Sequence, residues 1–316
     1  MMPLLFAIFA LITVTILRVR EYRFILSPDG GMYRDMANGV STPPPFCWRV
    51  GFPRFVRFMS RVTRLKIDHV MPAVGLFTYL CVLPATVWLA YSMGAPLAYA
   101  VGVAFLLVVS PALFSYPIVM PYLADCLAAP LAVSASALVV QGSSWLAMFV
   151  LLALGFVKES YLAMAAAFTL IYNPSLWWVV VPGVVAHLVL RKWAARVEAP
   201  DSKPELISPF SCVSTNKRVG FWFSNRLSIK QAGASPYVFA WYAPESLFLW
   251  PVLAVCVLAW AQAHVGTDHD RLIWQSGPWM LAALAPIVPV NVLIVACLVS
   301  MWCPWHGTES KLEEGE

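Results

Sequence analysis

Long apolar runs broken by short polar stretches fill the chain, and runs of that length are the period of membrane-crossing helices rather than of strands. About 20 apolar residues are needed to cover a hydrocarbon core of roughly 30 Å. The runs are Met1–Leu17, Val70–Met93, Ala95–Phe114, Pro121–Val140, Trp145–Val157, Tyr161–Tyr172, Leu176–Leu190, Ser246–Ala263 and Pro278–Trp302. Trp145–Val157, Tyr161–Tyr172 and Leu176–Leu190 are too short to cross alone. Only Lys158-Glu159-Ser160 parts the first two, so they read as one long span with a buried charge pair or as two short helices meeting at a turn. The pattern predicts an all-α polytopic membrane protein with eight or nine transmembrane helices, a single integral-membrane domain over residues 1–316.

Between the first two runs lies a loop, residues 18–69, with a helical pattern of its own over Phe52–Ile67. Phe52, Phe55, Met59, Val62 and Leu65 recur every three or four residues, and Arg54, Arg57, Arg61 and Arg64 recur on another face. One apolar and one cationic face define an interfacial amphipathic helix, lying in the membrane plane with its arginines among phosphates.

Composition agrees with the pattern. Sixty per cent of the residues are apolar and 12 % are charged, with a mean hydropathy of +0.74. Soluble domains carry about 25 % charged residues, so secreted, cytosolic and disordered classes are excluded. Ten of the 21 Lys and Arg residues fall in 18–69 and eight more in the basic polar loop 191–245, while an acidic tail covers 306–316. Basic residues that flank apolar runs point to anionic lipid head groups, not to nucleic acid. If all nine runs cross, both basic loops share one side, which the positive-inside rule makes cytoplasmic. Seven cysteines without a Cys-x-x-Cys pair give no disulfide framework or zinc site. Met1–Leu17 lacks a basic leader and reads as a retained anchor.

The first loop also holds the most informative chemistry. Pro28-Asp29-Gly30-Gly31 is turn chemistry, and from Met32 a short helix is expected, with Tyr33 and Ala37 four apart on one face. Asp29 then stands near that helix's N-terminus at the mouth of the membrane. It reads as a cap or as a carboxylate that activates an acceptor hydroxyl or binds a metal. Further along, Asp125 reads as a cap or as a catalytic group, and Lys158 with Glu159 as a mutual ion pair or as cavity-lining charges. His264 and His269 bracket Asp268, and with Asp270 read as a solvated turn, so no metal site is predicted and a divalent ion has no support. Trp177-Trp178, Trp274, Trp279, Trp302 and Trp305 read as interfacial belt residues.

Taken in order, these elements resemble the GT-C superfamily of integral-membrane glycosyltransferases. The resemblance rests on Asp29, Tyr33 and Met36-Ala37, then Pro45-Phe46, Arg49 and Pro53. It continues in Tyr122-Leu-Ala-Asp125, in Gly155-Phe-Val-Lys158-Glu159-Ser160, and in Asp268 to Arg271 before the last run. The superfamily's bacterial members use polyprenyl-phosphate-linked sugars, so the resemblance implies such a donor and a bacterial inner membrane. It also implies a first loop on the outer face and, with eight spans, basic loops on opposite sides. Asp29 is then the expected base, with Asp125 as a second catalytic carboxylate. Arg49, Arg271, Lys158, Glu159, Tyr33 and Tyr122 are expected to bind substrate or phosphate, Tyr116 lining the same cavity. Protein partners stay open. The rival readings are a transporter or flippase for a lipid-linked or small polar solute, and a non-catalytic assembly subunit.

Overall fold

The computed structural model describes residues 10–17, 19, 24, 26–42, 46–110, 118, 120–197, 235–265 and 275–302, and every regular element among them is helical. Helix α1 covers residues 10–17. The first loop then folds as α2 (Pro28–Asn38), a 3-10 turn at Phe46–Trp48 and α3 (Gly51–Thr63). The bundle follows as α4 (Ile67–Leu80), α5 (Val82–Ser92), α6 (Leu97–Val109), α7 (Asp125–Val140), α8 (Ser144–Gly155), α9 (Glu159–Tyr172) and α10 (Trp177–Val197). It ends in α11 (Ser235–Tyr242), α12 (Leu249–Val265), α13 (Gly277–Leu284) and α14 (Val290–Trp302).

Among the described residues, two segments are long and apolar enough to cross a bilayer: Ile67–Ser92, 26 residues, and Pro174–Trp193, 20 residues. The first of these is interrupted at Cys81, where α4 gives way to α5. Pro84 follows three residues later, and its missing N–H removes a rung of the hydrogen-bond ladder at that interruption. The expected single run Pro278–Trp302 is divided into α13 and α14, because Pro286 and Pro289 interrupt the helix between Leu284 and Val290.

The ambiguous stretch 145–172 is two helices meeting at a turn, and contacts at their far ends fix their directions. Trp145, at the start of α8, packs on Trp178, at the start of α10, with ring centroids 5.0 Å apart. Only four residues part Tyr172 from Trp177, so α9 must return to the end where α8 began. Helices α8 and α9 therefore run antiparallel, and Phe156-Val157-Lys158 marks the other end of the bundle together with Asp125. Gly183 makes the parallel packing of α8 and α10 possible, since a Cβ there would lie 2.5 Å from the Leu151 carbonyl oxygen.

Helix α10 climbs past that turn. His187 Nδ1 lies 3.2 Å from the Gly155 carbonyl oxygen, and the Arg191 guanidinium stacks over Trp48, 5.0 Å from the ring centroid. The beginning of the stretch 191–245 thus sits at the first-loop end of the bundle. Phe248 stacks on Tyr172 at 5.8 Å, at the end where α9 finishes, and 191–197 and 235–242 are helical rather than loop.

Helix α3 is shorter than expected and carries its apolar residues on two faces. It stops at Thr63, with Arg64 left-handed at φ 58°. Phe52, Pro53 and Val56 are buried against the bundle, whereas Phe55, Phe58, Val62 and Leu65 are exposed. Arg54 and Arg61 are exposed beside them. Arg57 is not: its Nε and Nη2 donate to the Ala37 and Met36 carbonyls at 2.6 and 2.8 Å, capping the end of α2. Trp279 is no belt residue either, being fully buried with Nε1 donating to Ser136 Oγ at 2.9 Å. Trp177 is 61 % exposed. The side chains of Trp274, Trp302 and Trp305, the acidic tail 306–316 and residues 1–9 lie outside the described residues.

Candidate functional site

The short helix of the first loop begins earlier than expected, at Pro28, and its cap is Ser27, whose Oγ accepts from Gly30 N–H at 3.1 Å. Asp29 is therefore a first-turn residue, where a negative charge favours the helix dipole, and it is half-buried. Gly30, Tyr33 and Ala37 form the buried face. Gly30 presses so closely on the segment before α7 that a Cβ there would lie 2.8 Å from Tyr122 Cβ. Asp29 and Tyr33, four residues apart, lie on neighbouring rows of one side of α2.

Tyr33 leads into an outer ion pair. Arg49 Nη1 donates to the Tyr33 hydroxyl at 3.2 Å, and its Nε donates to Glu159 Oε2 at 3.0 Å. Its Nη2 donates to Glu159 Oε1, completing a bidentate fork. The Arg49 side chain is 14 % exposed and that of Glu159 34 %. The ring of Phe46 stands edge-on to Tyr33 at 5.4 Å. Burial works against the Arg49 cation, but Tyr33 and Glu159 outweigh it and hold the guanidinium above its usual range. Burial also pushes the Tyr33 phenol up to about 12.

An inner ion pair follows one residue away. Lys158 Nζ donates to Asp125 Oδ2 at 2.6 Å, the two side chains being 4 % and 2 % exposed. Gln275 Nε2 donates to Asp125 Oδ1 at 2.8 Å. Lys158 has extended backbone, φ −162°, between α8 and α9, and Asp125 occupies the first turn of α7. The turn itself is clamped by the first loop, because Gly51 N–H donates to the Phe156 carbonyl at 2.7 Å. Gly51 has to be glycine there: a Cβ would lie 2.8 Å from Val157 Cγ2 and 2.9 Å from that carbonyl oxygen.

Of the residues expected from the sequence, Tyr33, Arg49, Asp125, Lys158 and Glu159 thus converge at one end of the bundle. Lys158 and Glu159 are not each other's salt-bridge partners, since each is taken by a residue far away in the chain. Asp29 and Tyr122 take no part in these hydrogen bonds, and Tyr122 packs on Gly30 of α2. Arg271, Tyr116, Asp268, Asp270 and His269 lie outside the described residues, as does the side chain of His264. Among the described residues no group of three or more His, Cys, Asp and Glu side chains is placed to hold a metal. Gln275 was missed, although a polar residue ahead of the apolar run from Pro278 is a signal that could have found it.

The arrangement balances two cations against two carboxylates. Arg49 places its fork on Glu159 and so fastens the first loop to the α8–α9 turn. The pair of Lys158 and Asp125 joins the α8–α9 turn to α7, and Gln275 ties the segment before α13 to the same carboxylate. No known family model matches the chain, and no curated protein matches it.

Proposed function

We propose that the chain is a polytopic membrane glycosyltransferase of GT-C type, which moves a sugar from a polyprenyl-phosphate donor to an acceptor hydroxyl. The membrane part of this reading is supported by what the helices leave uncovered. Trp145, Leu146 and Phe149 on α8, and Val181, Val184, Val185, Leu188 and Val189 on α10, are all more than a third exposed. In water such contiguous apolar stripes would be an aggregation hazard; against lipid they are the expected outer surface. Helices too short to cross alone, such as α8 and α9, are accommodated by neighbours and by local thinning of the bilayer.

The observation that carries the catalytic part is the placement of Asp29. Its helix is fixed by Ser27 at one end, by Arg57 at the other, and by Tyr33 on the Arg49–Glu159 pair. A general base needs such a fixed, partly dehydrated carboxylate. Asp29 takes the acceptor proton while the acceptor oxygen bonds to the anomeric carbon. The bond from that carbon to the phosphate oxygen breaks, and its electron pair leaves with the polyprenyl phosphate, inverting the configuration. With Arg49 engaged, the phosphate is left to other cations, Arg271 being the one expected from the sequence.

Transfer of labelled sugar from polyprenyl-phosphate donors in membranes containing the chain tests the reading. Asp29→Asn should abolish transfer with the protein still folded. Full transfer by that variant removes Asp29 as the base. Uptake of a solute without covalent transfer would replace the enzyme by a transporter.

A further inference from the structure

Four buried side-chain polar atoms among the described residues have no hydrogen-bond partner: Thr42 Oγ1, Trp48 Nε1, Ser160 Oγ and Gln275 Oε1. Buried polar atoms are paired in more than nine cases in ten, so each exception needs a reason. Here the exceptions are not scattered. Gln275 is bonded to Asp125, and Trp48 and Ser160 adjoin Arg49 and Glu159 in the chain, so three of the four belong to residues next to or bonded to the two ion pairs. The strongest of them is Gln275, which is only 6 % exposed. Its amide nitrogen has to face the Asp125 carboxylate, which only accepts, and this leaves the carbonyl oxygen bare.

We infer that this end of the bundle holds a subsite for a neutral, hydroxyl-bearing ligand, with Gln275 Oε1 as its acceptor and Ser160 Oγ and Trp48 Nε1 as further contacts. The ligand class follows from the vacant groups. Gln275 Oε1 can only accept and the indole N–H can only donate, and a hydroxyl does both. An anion offers no donor to Gln275 and would meet the Asp125 carboxylate close by. A cation would meet Lys158 and Arg49, already bonded to both carboxylates of the cluster. The donors and acceptors of sugar hydroxyls or of ordered waters match these groups, and those of a phosphate do not. The sugar version rests on the proposed transfer reaction and deepens it, by separating the site that reads sugar hydroxyls from the cations that hold phosphate.

The test uses the full chain in nanodiscs free of sugar detergents, with thermal unfolding followed against methyl glycosides of glucose, galactose, mannose and N-acetylglucosamine, and against sodium phosphate. One glycoside should stabilise the wild type in a saturable way. Gln275→Leu should weaken that binding about tenfold, the upper range for one neutral hydrogen bond. Ser160→Ala and Trp48→Phe should weaken it severalfold, with Arg54→Ala as an unchanged control. Ser160→Ala removes an atom without a partner, so it remains informative if Gln275→Leu does not fold. The inference fails if no glycoside binds, which leaves ordered water only, if binding survives Gln275→Leu and Ser160→Ala, or if phosphate stabilises in a Gln275-dependent way. Transfer with unchanged kcat and KM in Gln275→Leu would remove the subsite and keep the enzyme. Glycoside binding lost in that variant, with no transfer from any donor, would keep the subsite and remove the enzyme.

Discussion

Lys158 and Glu159 are consecutive residues whose charges are neutralised by different parts of the chain, Lys158 by Asp125 of α7 and Glu159 by Arg49 of the first loop. The dipeptide therefore works as a rivet between bundle and loop. The inner half is almost fully buried, and breaking one partner of a buried pair strands the other's charge, at a cost of about 3–5 kcal/mol. Lys158→Met or Asp125→Leu alone should lower the unfolding temperature sharply and reduce the yield of folded protein. The double variant should recover much of that loss, because neither charge then needs a partner. A double variant as unstable as the sum of the singles would show that the two groups do not act as a pair.

The outer half is more exposed and governs the loop rather than the bundle. Arg49→Lys keeps the charge and loses the fork, which a lysine cannot reproduce. The loop carries its own reporter in Cys47, a cysteine buried to 0 % exposure two residues before Arg49. Arg49→Lys and Arg49→Ala should both speed thiol labelling of Cys47, resolved from the other cysteines by peptide mass spectrometry. Cysteines in the bundle, such as Cys126, should keep their wild-type rates. Uniform acceleration at all cysteines would mean global destabilisation instead.

Glycine at position 51 is demanded by contact rather than by backbone angle. Gly51→Ala should destabilise by about 1–3 kcal/mol, the usual range for overpacking, because Val157 and the Phe156 carbonyl already occupy the space. Gly31→Ala is the matched control on α2, since nothing lies within 4 Å of its would-be Cβ. That substitution should be neutral or slightly stabilising. Thermal unfolding of the two variants side by side decides the point.

Sequence periodicity foretold what depends on near neighbours. Tyr33 and Ala37 share the buried face of α2 as their spacing of four requires, whereas the four spaced arginines do not form one face of α3, since Arg57 caps α2 and Arg64 lies beyond the helix. Partnership was another matter. Lys158 lies 33 residues from Asp125, Arg49 lies 110 from Glu159, and Gln275 lies 150 from Asp125. No local pattern encodes such pairings, and adjacency made Lys158 and Glu159 look like partners of each other. The apolar residues of α3 misled for a related reason: hydropathy does not distinguish Phe52, which faces protein, from Phe58, which faces outward.

The phenol of Tyr33 gives the site a signature at alkaline pH. Burial raises it to about 12 from an ordinary 10. Between those values the folded state keeps a proton that the unfolded chain has released, so stability falls as pH rises through that window. Below pH 10 the contribution is fully present. Tyr33→Phe should therefore flatten the loss of stability between pH 10 and 12 by up to one proton, and should change its slope little at pH 6–9. An unchanged alkaline slope in the variant would place that titration elsewhere.

Sidedness can be read without knowing the substrate. Arg191 stacks on Trp48, so the end of α10 and the first loop share one end of the bundle. Gln141, exposed in the turn between α7 and α8, belongs to the other end. In a background without native cysteines, Ser41→Cys and Lys192→Cys should react with an impermeant maleimide from the same side of sealed vesicles. Gln141→Cys should react only from the opposite side. If Ser41→Cys and Lys192→Cys label from opposite sides, the antiparallel placement of α8 and α9 is wrong. The two ion pairs would then lose the turn that brings them together, and with it the scaffold that holds Asp29.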